Sequence, residues 1–148
     1  MDVKHVLLVG ASALLLAACA RVGKEYTERL NARQQAYAAV AGAPVNKFHY
    51  FSLWSWEPLS DDQLAVYTRS NEAWLLDLDG KCRNLQFTNH IALTSSVSEV
   101  SVKFDRVLTG PPDPPCFIKQ IRPVDVARLQ SPQQGKPREV EEAPRPAK

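Results

Sequence analysis

The chain has 148 residues, 45% of them hydrophobic and 23% charged, with a formal net charge of +2. This length fits one small domain with appended segments and excludes a TIM barrel or a two-domain enzyme. The ordinary charged fraction excludes a wholly disordered chain. The nearly balanced charge gives no basis for nucleic-acid binding.

The first eighteen residues have the pattern of an export signal. Lys4 stands before thirteen uncharged residues, 6–18, and this run ends in Leu-Ala-Ala followed by Cys19. The run is too short to span a bilayer as a helix, but it matches the apolar region of a secretory signal peptide. The four residues ending at Cys19 resemble the bacterial lipobox, which is cut just before its cysteine.

The lipobox resemblance implies a lipid anchor. In that class the cysteine sulfur receives diacylglycerol and the new amino terminus is acylated, so Cys19 would be the first mature residue and would carry acyl chains such as palmitate. Two or more chains hold a protein firmly on a membrane. Ala20 replaces the Asp that resembles an inner-membrane retention signal, which favours the outer membrane, facing the periplasm, in a Gram-negative source. The alternatives are an ordinary cleaved signal with a chance cysteine and a buried apolar helix.

The segment after the cysteine is predicted to be partly helical. Residues 20–43 are rich in Ala, Gln, Arg and Glu, which are good helix formers. Gly42-Ala43-Pro44 then ends the run, as Gly and Pro do after a helix. We expect residues 19–44 to form a lipid-anchored tether; a partner-binding helix and a flexible tether remain alternatives.

Residues 45–129 form the predicted domain. Six predicted strands cover residues 47–56, 64–69, 73–78, 91–95, 100–105 and 116–122. Helical character is limited to two short segments, 60–63 and 123–129. Strands this closely spaced favour antiparallel pairing over βαβ units. We therefore predict a mainly β fold, with a small antiparallel sheet or partly open barrel of about six strands.

The last segment, residues 130–148, is predicted to be a disordered tail. It contains four prolines and one aliphatic residue beyond alanine, Val140. Such a segment buries too little apolar surface to offset the entropy lost on ordering. Truncation after Leu129 is therefore expected to leave the stability of the domain almost unchanged.

Two cysteines remain in the domain after Cys19. An exported chain with two cysteines in about 85 residues favours one disulfide, Cys82–Cys116, which would close 33 intervening residues. The chain-entropy model gives a loop of that size about 3–4 kcal/mol. The rival interpretation, in which Cys82 is a nucleophile and His90 its base, has no motif behind it.

The remaining polar residues give no pattern for a metal or a cofactor. His49 and His90 lack neighbours at zinc-site spacing. Asp77 and Asp79 lack the rest of a calcium-binding loop, so a solvated turn explains them better. We expect no catalytic residue, no metal and no cofactor.

One aromatic stripe offers a candidate ligand site. Phe48, Tyr50, Trp54 and Trp56 have the same parity, so a regular strand would place them on one face. Core packing is the favoured interpretation, because large aromatic side chains bury much apolar area. The alternative is a platform of Tyr50, Trp54 and Trp56 that stacks on sugar rings.

Four stretches of the domain resemble a known group of proteins. They are Trp56-Glu57-Pro58-Leu59, then 73–78 (AWLLDL), 82–85 (CRNL) and 116–124 (CFIKQIRPV). Together they resemble small exported proteobacterial proteins built on a two-cysteine domain of unknown function. The resemblance implies export and a paired Cys82 and Cys116, and no catalytic residue.

These observations predict a lipid-anchored protein that faces the periplasm and acts in the envelope by binding or scaffolding, without catalysis. Its expected partners are the membrane, through acyl chains on Cys19, and an envelope protein or cell-wall glycan. A carbohydrate- or peptidoglycan-binding module is the first alternative, and a small envelope hydrolase is the second.

Overall fold

The computed structural model describes the backbone of residues 3–129 and 137–146, and the side chains from residue 21 onwards within those ranges. The chain divides into two compact units, residues 1–32 and residues 33–148. A single helix, α1 (Val3–Val40), contains residues 3–32 of the first unit and residues 33–40 of the second unit.

The first unit presents mostly exposed side chains from residue 21 onwards. Lys24 pairs with Glu28, and Arg29 pairs with Glu25, each four residues apart. Pairs at this spacing stabilise a helix by about 0.2–0.5 kcal/mol. Within the part of the chain that the structure describes, no helix combines the length and the apolar character needed to cross a membrane.

The second unit is built from short strands. In chain order they are β1 (Lys47–His49), β2 (Ser55–Pro58), β3 (Gln63–Arg69), β4 (Glu72–Leu78), β5 (His90–Ser95), β6 (Glu99–Ser101), β7 (Arg106–Leu108), β8 (Cys116–Val124) and β9 (Glu139–Pro144). A 3-10 turn, Val126–Arg128, follows β8.

Seven of these strands form one sheet in the order β2-β3-β4-β8-β7-β5-β9, while β1 and β6 form a small second sheet. All pairs are antiparallel except β5 and β9, which run parallel. The two outermost strands of the large sheet, β2 and β9, approach each other, so the sheet is a nearly closed barrel. The predicted mainly β class with a partly open barrel is confirmed.

The sheet buries both of its faces around β3 and β4. One face lines the interior of the barrel with large apolar side chains that include Trp56, Leu64, Val66, Leu76, Ile118 and Ile121. The other face packs against Tyr37 and neighbouring residues at the end of α1. Its buried residues include Leu59, Ala65, Tyr67, Ala73, Leu75 and Val124. Because successive residues of a strand point to opposite faces, β3 is buried from Gln63 through Thr68.

Two predicted strands are wrong in extent. The segment 47–56 is broken, because β1 ends at His49, β2 begins at Ser55, and Phe51 between them is 94% exposed. The segment 100–105 is also broken, since the chain turns after Ser101 with Lys103 at a φ of 69°. Strict alternation in sequence therefore did not mark one continuous strand here.

Smaller elements also differ from the prediction. Residues 60–63 make a non-helical turn into β3, and the predicted helix at 123–129 is reduced to the 3-10 turn. Four other predicted strands, 64–69, 73–78, 91–95 and 116–122, lie within one or two residues of β3, β4, β5 and β8.

The tail differs most from its prediction. Residues 130–136 and 147–148 lie outside the described residues, but 137–146 are ordered around β9, so the prediction of disorder is wrong for that segment. β9 pairs with β5 over six residues, from His90↔Glu139 to Ser95↔Pro144. The pairing of β9 with β5 uses backbone donors and acceptors, and a polar segment carries these groups just as an apolar segment does. Val140, the one aliphatic residue, packs against the barrel interior.

Candidate functional site

The aromatic side chains of the alternative ligand platform, Tyr50, Trp54 and Trp56, do not share an exposed face. Trp56 is completely buried, and Tyr50 is buried with its hydroxyl 2.7 Å from the Ser95 hydroxyl. Trp54 is 43% exposed and lies edge-on against Tyr67. The break between β1 and β2 removes the common parity, so Tyr50 and Trp56 serve the barrel interior.

The predicted disulfide is present. Cys82 and Cys116 are bonded, with their Cα atoms 5.6 Å apart. The bond ties the loop after β4 to the start of β8. The side chain of Cys19 lies outside the described residues.

The two histidines of the second unit, His49 and His90, each lie beside glutamates. His49 contacts Glu99, while His90 lies 3.6 Å from Glu139 and 3.4 Å from Glu141 of β9. Among the described residues, no group of three or more His, Cys, Asp or Glu side chains is arranged to hold a metal ion.

A row of polar side chains crosses three neighbouring strands instead. Gln63 of β3 is the register partner of Asp77 of β4, and Asp77 is the register partner of Gln120 of β8. Register partners point to the same side of a sheet. A bulge beside Asp77 inserts Lys119 into β8, and bulges redirect side chains in this way.

Asp77 is fixed at the centre of this polar row. It accepts hydrogen bonds from the Gln63 amide and from Arg122, whose Nη2 lies 3.0 Å from Oδ2. Both charged side chains are only about one-fifth exposed, with 22% for Arg122 and 23% for Asp77. Two neighbouring atoms, Gln63 Oε1 and Arg122 Nε, are buried without a hydrogen-bond partner among the described residues. Buried polar atoms are nearly always paired, so these two call for a partner from outside the described protein atoms.

The row forms the floor of an open polar groove of about 500 Å³. Its lining consists of Gln34, Asp62, Gln63, Asp77, Leu78, Lys119 and Gln120. This volume lies within the range of small-molecule sites, about 300–1,000 Å³. The lining offers amides, carboxylates and one ammonium group, which suits a ligand that both donates and accepts hydrogen bonds.

A buried ionic cluster holds the end of α1 that supplies Gln34. The guanidinium of Arg33 donates to Glu57 at 2.6 and 3.0 Å, and Tyr37 donates to the same carboxylate at 2.7 Å. The Tyr37 hydroxyl also bonds that of Tyr67. Burial acts to lower the pKa of Arg33, but the hydrogen bond and the negative charge of Glu57 outweigh it and raise that pKa. Arg33 therefore stays charged against Glu57.

Sequence reasoning missed the groove because its residues are remote in sequence and ordinary in type. Gln63, Asp77 and Gln120 each stand at the end of a strand or inside one, and only the register brings them together. The one available signal was Asp77 after an apolar run, which the sequence favoured as a solvated turn.

The comparisons with known proteins agree with a domain of unknown function and add no activity. No curated protein and no solved structure matches the chain. One family model, described as a family of unknown function, DUF6491, matches residues 2–139. Because this match covers most of the sequence, the chain belongs to family DUF6491.

Proposed function

We propose that the chain is a lipoprotein of the bacterial envelope that binds a polar ligand without transforming it. Its acyl chains on Cys19 would hold it on the outer membrane with the domain facing the periplasm. The lipobox resemblance and the disulfide both support an exported protein, because disulfides persist in oxidising compartments.

The proposed binding role rests on the polar groove. Arg122 and Gln63 hold the Asp77 side chain in place. The neighbouring amides of Gln120 and Gln34 and the ammonium group of Lys119 are left to contact a ligand. Amide and carboxylate groups are the usual partners of sugar hydroxyls and N-acetyl groups. We therefore propose a cell-wall glycan fragment as the ligand, bound by the groove and not by the aromatic stripe.

Binding of a muropeptide, N-acetylglucosaminyl-N-acetylmuramyl dipeptide, tests this role by calorimetry. We expect saturable binding that weakens at least about tenfold in Gln120→Ala and Lys119→Ala, since each loses a hydrogen bond in the groove. Lys81→Ala is the matched control, because Lys81 is an exposed lysine outside the groove, and it should bind like the wild type. Absence of binding, or equal binding by all variants, would refute a glycan site in the groove.

The anchor is tested separately by labelling cells with radioactive palmitate. We expect label in the wild-type protein and in Cys82→Ser, and none in Cys19→Ser, because only the first cysteine carries the acyl chains. Label that persists in Cys19→Ser would contradict the lipoprotein proposal.

A further inference from the structure

Ion pairing in the second unit is uneven. Most of its described cations lie within 4 Å of a carboxylate: Arg33, Lys47, Arg69, Lys81, Arg83, Arg122 and Arg145. Among the described residues, five cations have no such partner, and three of those five, Lys103, Arg106 and Lys119, lie around one exposed aromatic ring. Unpaired charges that cluster on one face create a local positive potential.

That ring belongs to Phe117, which is 42% exposed at the start of β8. The Arg106 guanidinium lies over it, 4.3 Å from the ring centroid. Lys103 and Lys119 flank it and line a shallow depression of about 450 Å³ together with Asp79 and Ile118. We call Lys103, Arg106, Phe117 and Lys119 the basic face. Asp79 offsets one of its three positive charges.

We propose that the basic face docks on the anionic phospholipid headgroups of the bilayer that carries the protein. The proposal rests on the lipid anchor proposed above, which keeps the domain within reach of those headgroups. The cations would contact phosphate groups, and Phe117 would enter the headgroup region, where an aromatic ring adjoins both polar and apolar surroundings. Such contacts would fix the orientation of the domain on the membrane.

The number of cations in the basic face sets the strength of membrane binding that we expect. A lysine or arginine near an anionic membrane surface contributes about 1 kcal/mol, which corresponds to about fivefold in the partition coefficient. Three cations and one ring give weak binding by themselves, and the anchor would supply the rest. Contacts of this kind weaken as salt shortens the range of the charges.

Cosedimentation with vesicles tests the proposal on residues 19–148 carrying Cys19→Ser. Both apolar clusters and the disulfide lie in residues 33–148, so this chain retains its core, and circular dichroism checks the fold of every variant. We expect binding to phosphatidylcholine vesicles that contain phosphatidylglycerol, little binding to phosphatidylcholine alone, and weaker binding at high salt.

Matched variants locate the contact. Lys103→Gln with Lys119→Gln should lower the partition coefficient about 30-fold, as two contributions of about 1 kcal/mol predict. The control variant, Lys81→Gln with Arg128→Gln, also removes two positive charges, but from exposed positions elsewhere. It should change the partition coefficient by less than about threefold. Phe117→Ser should weaken binding without changing its salt dependence.

Several results would overturn the proposal. They are equal binding to both kinds of vesicle, equal loss in the two charge variants, and displacement of the protein by inorganic phosphate at millimolar concentration, which would indicate a site for a small free anion. Lys103 lies outside the polar groove, so Lys103→Gln separates this proposal from the glycan site. Vesicle binding by this chain, together with absence of palmitate label in the wild-type protein, would support the basic face and contradict only the anchor.

Discussion

The guanidinium of Arg145, three residues before Lys148, holds the completely buried carboxylate of Asp105. Nε and Nη2 of Arg145 donate to its two oxygens at 2.9 and 2.6 Å. The backbone N–H of Ser101 and the hydroxyl of Thr94 donate to the same carboxylate at 2.7 and 3.0 Å. The hydrogen bond to Asp105 raises the pKa of Arg145. A segment of polar composition thus completes the pairing of a buried charge.

Arg145→Ala should lower the free energy of unfolding by about 2–3 kcal/mol, because it leaves the buried Asp105 charge short of its cationic partner. Urea titration measures this change. Arg128→Ala, at an exposed arginine without an ion pair among the described residues, is the control and should change it by less than about 0.5 kcal/mol. Truncation after Leu129 should destabilise at least as much as Arg145→Ala, contrary to the expectation from sequence. An unchanged urea midpoint in Arg145→Ala and in the truncated protein would mean that β9 contributes nothing to stability.

The stability of the protein should fall as the pH rises above about 10. Burial, followed by the charge of Glu57 and the hydrogen bond to Tyr67, raises the pKa of Tyr37. A raised pKa in the folded state stabilises the fold below the unfolded pKa, and that contribution is lost as the pH rises, because only the unfolded chain then releases the proton readily. Burial also raises the pKa of Tyr50, which adds in the same direction.

Urea titrations between pH 8 and pH 11 on wild type and Tyr37→Phe measure this effect, and the variant should show a shallower loss above about pH 10. Tyr26→Phe, at a half-exposed position of the first unit, should retain the wild-type slope. Identical slopes in all three proteins would exclude Tyr37 as the group responsible.

Replacing Cys82 and Cys116 together by alanine should destabilise the protein by about 3–4 kcal/mol, because the unfolded chain regains the freedom of a loop whose ends are 34 residues apart. Denaturation of this variant should match that of the reduced wild-type protein. Cys19→Ser is the control and should unfold like the oxidised wild type. A loss below about 1 kcal/mol would show that the disulfide contributes little to the stability.

The turn between β5 and β6 should be stabilised by a standard hairpin sequence. Val97 and Ser98 have φ values of 54° and 55°, and hydrogen bonds between Ser96 and Glu99 close the turn in both directions. Asn followed by Gly favours this geometry, whereas a β-branched residue is strained in it. Val97→Asn with Ser98→Gly should raise the free energy of unfolding by about 1 kcal/mol. Lower stability in the variant would mean that the exposed Val97 side chain is held by contacts that the turn geometry does not reveal.

Acrylamide should quench mainly the fluorescence of Trp54. Trp54 is 43% exposed, Trp56 is fully buried, and the half-buried Trp74 stacks on Phe48 with ring centroids 4.8 Å apart. Trp54→Phe should therefore remove most of the quenchable emission, whereas Trp74→Phe should leave it. Strong quenching that persists in the double variant Trp54→Phe with Trp74→Phe would contradict the burial of Trp56.

The sequence by itself predicted the parts of this protein that depend on local patterns. Apolar and β-branched runs between turn residues marked β3, β4, β5 and β8, because these signals act over a few neighbouring residues. The disulfide followed from the cysteine count in a small domain that the sequence predicts to be exported. The lipid anchor and the periplasmic location are also sequence predictions, and they await the labelling experiment.

Only the tertiary structure revealed which residues form the groove and the basic face and that part of the tail is ordered. Gln63, Asp77 and Gln120 meet through strand register, which depends on pairings between residues more than ten positions apart. Arg145 and Asp105 are 40 residues apart in sequence and likewise meet only in the folded chain. The tail was misjudged because its low apolar content argues against a core, whereas a strand at a sheet edge is held by backbone hydrogen bonds and a few charged contacts that composition does not reveal.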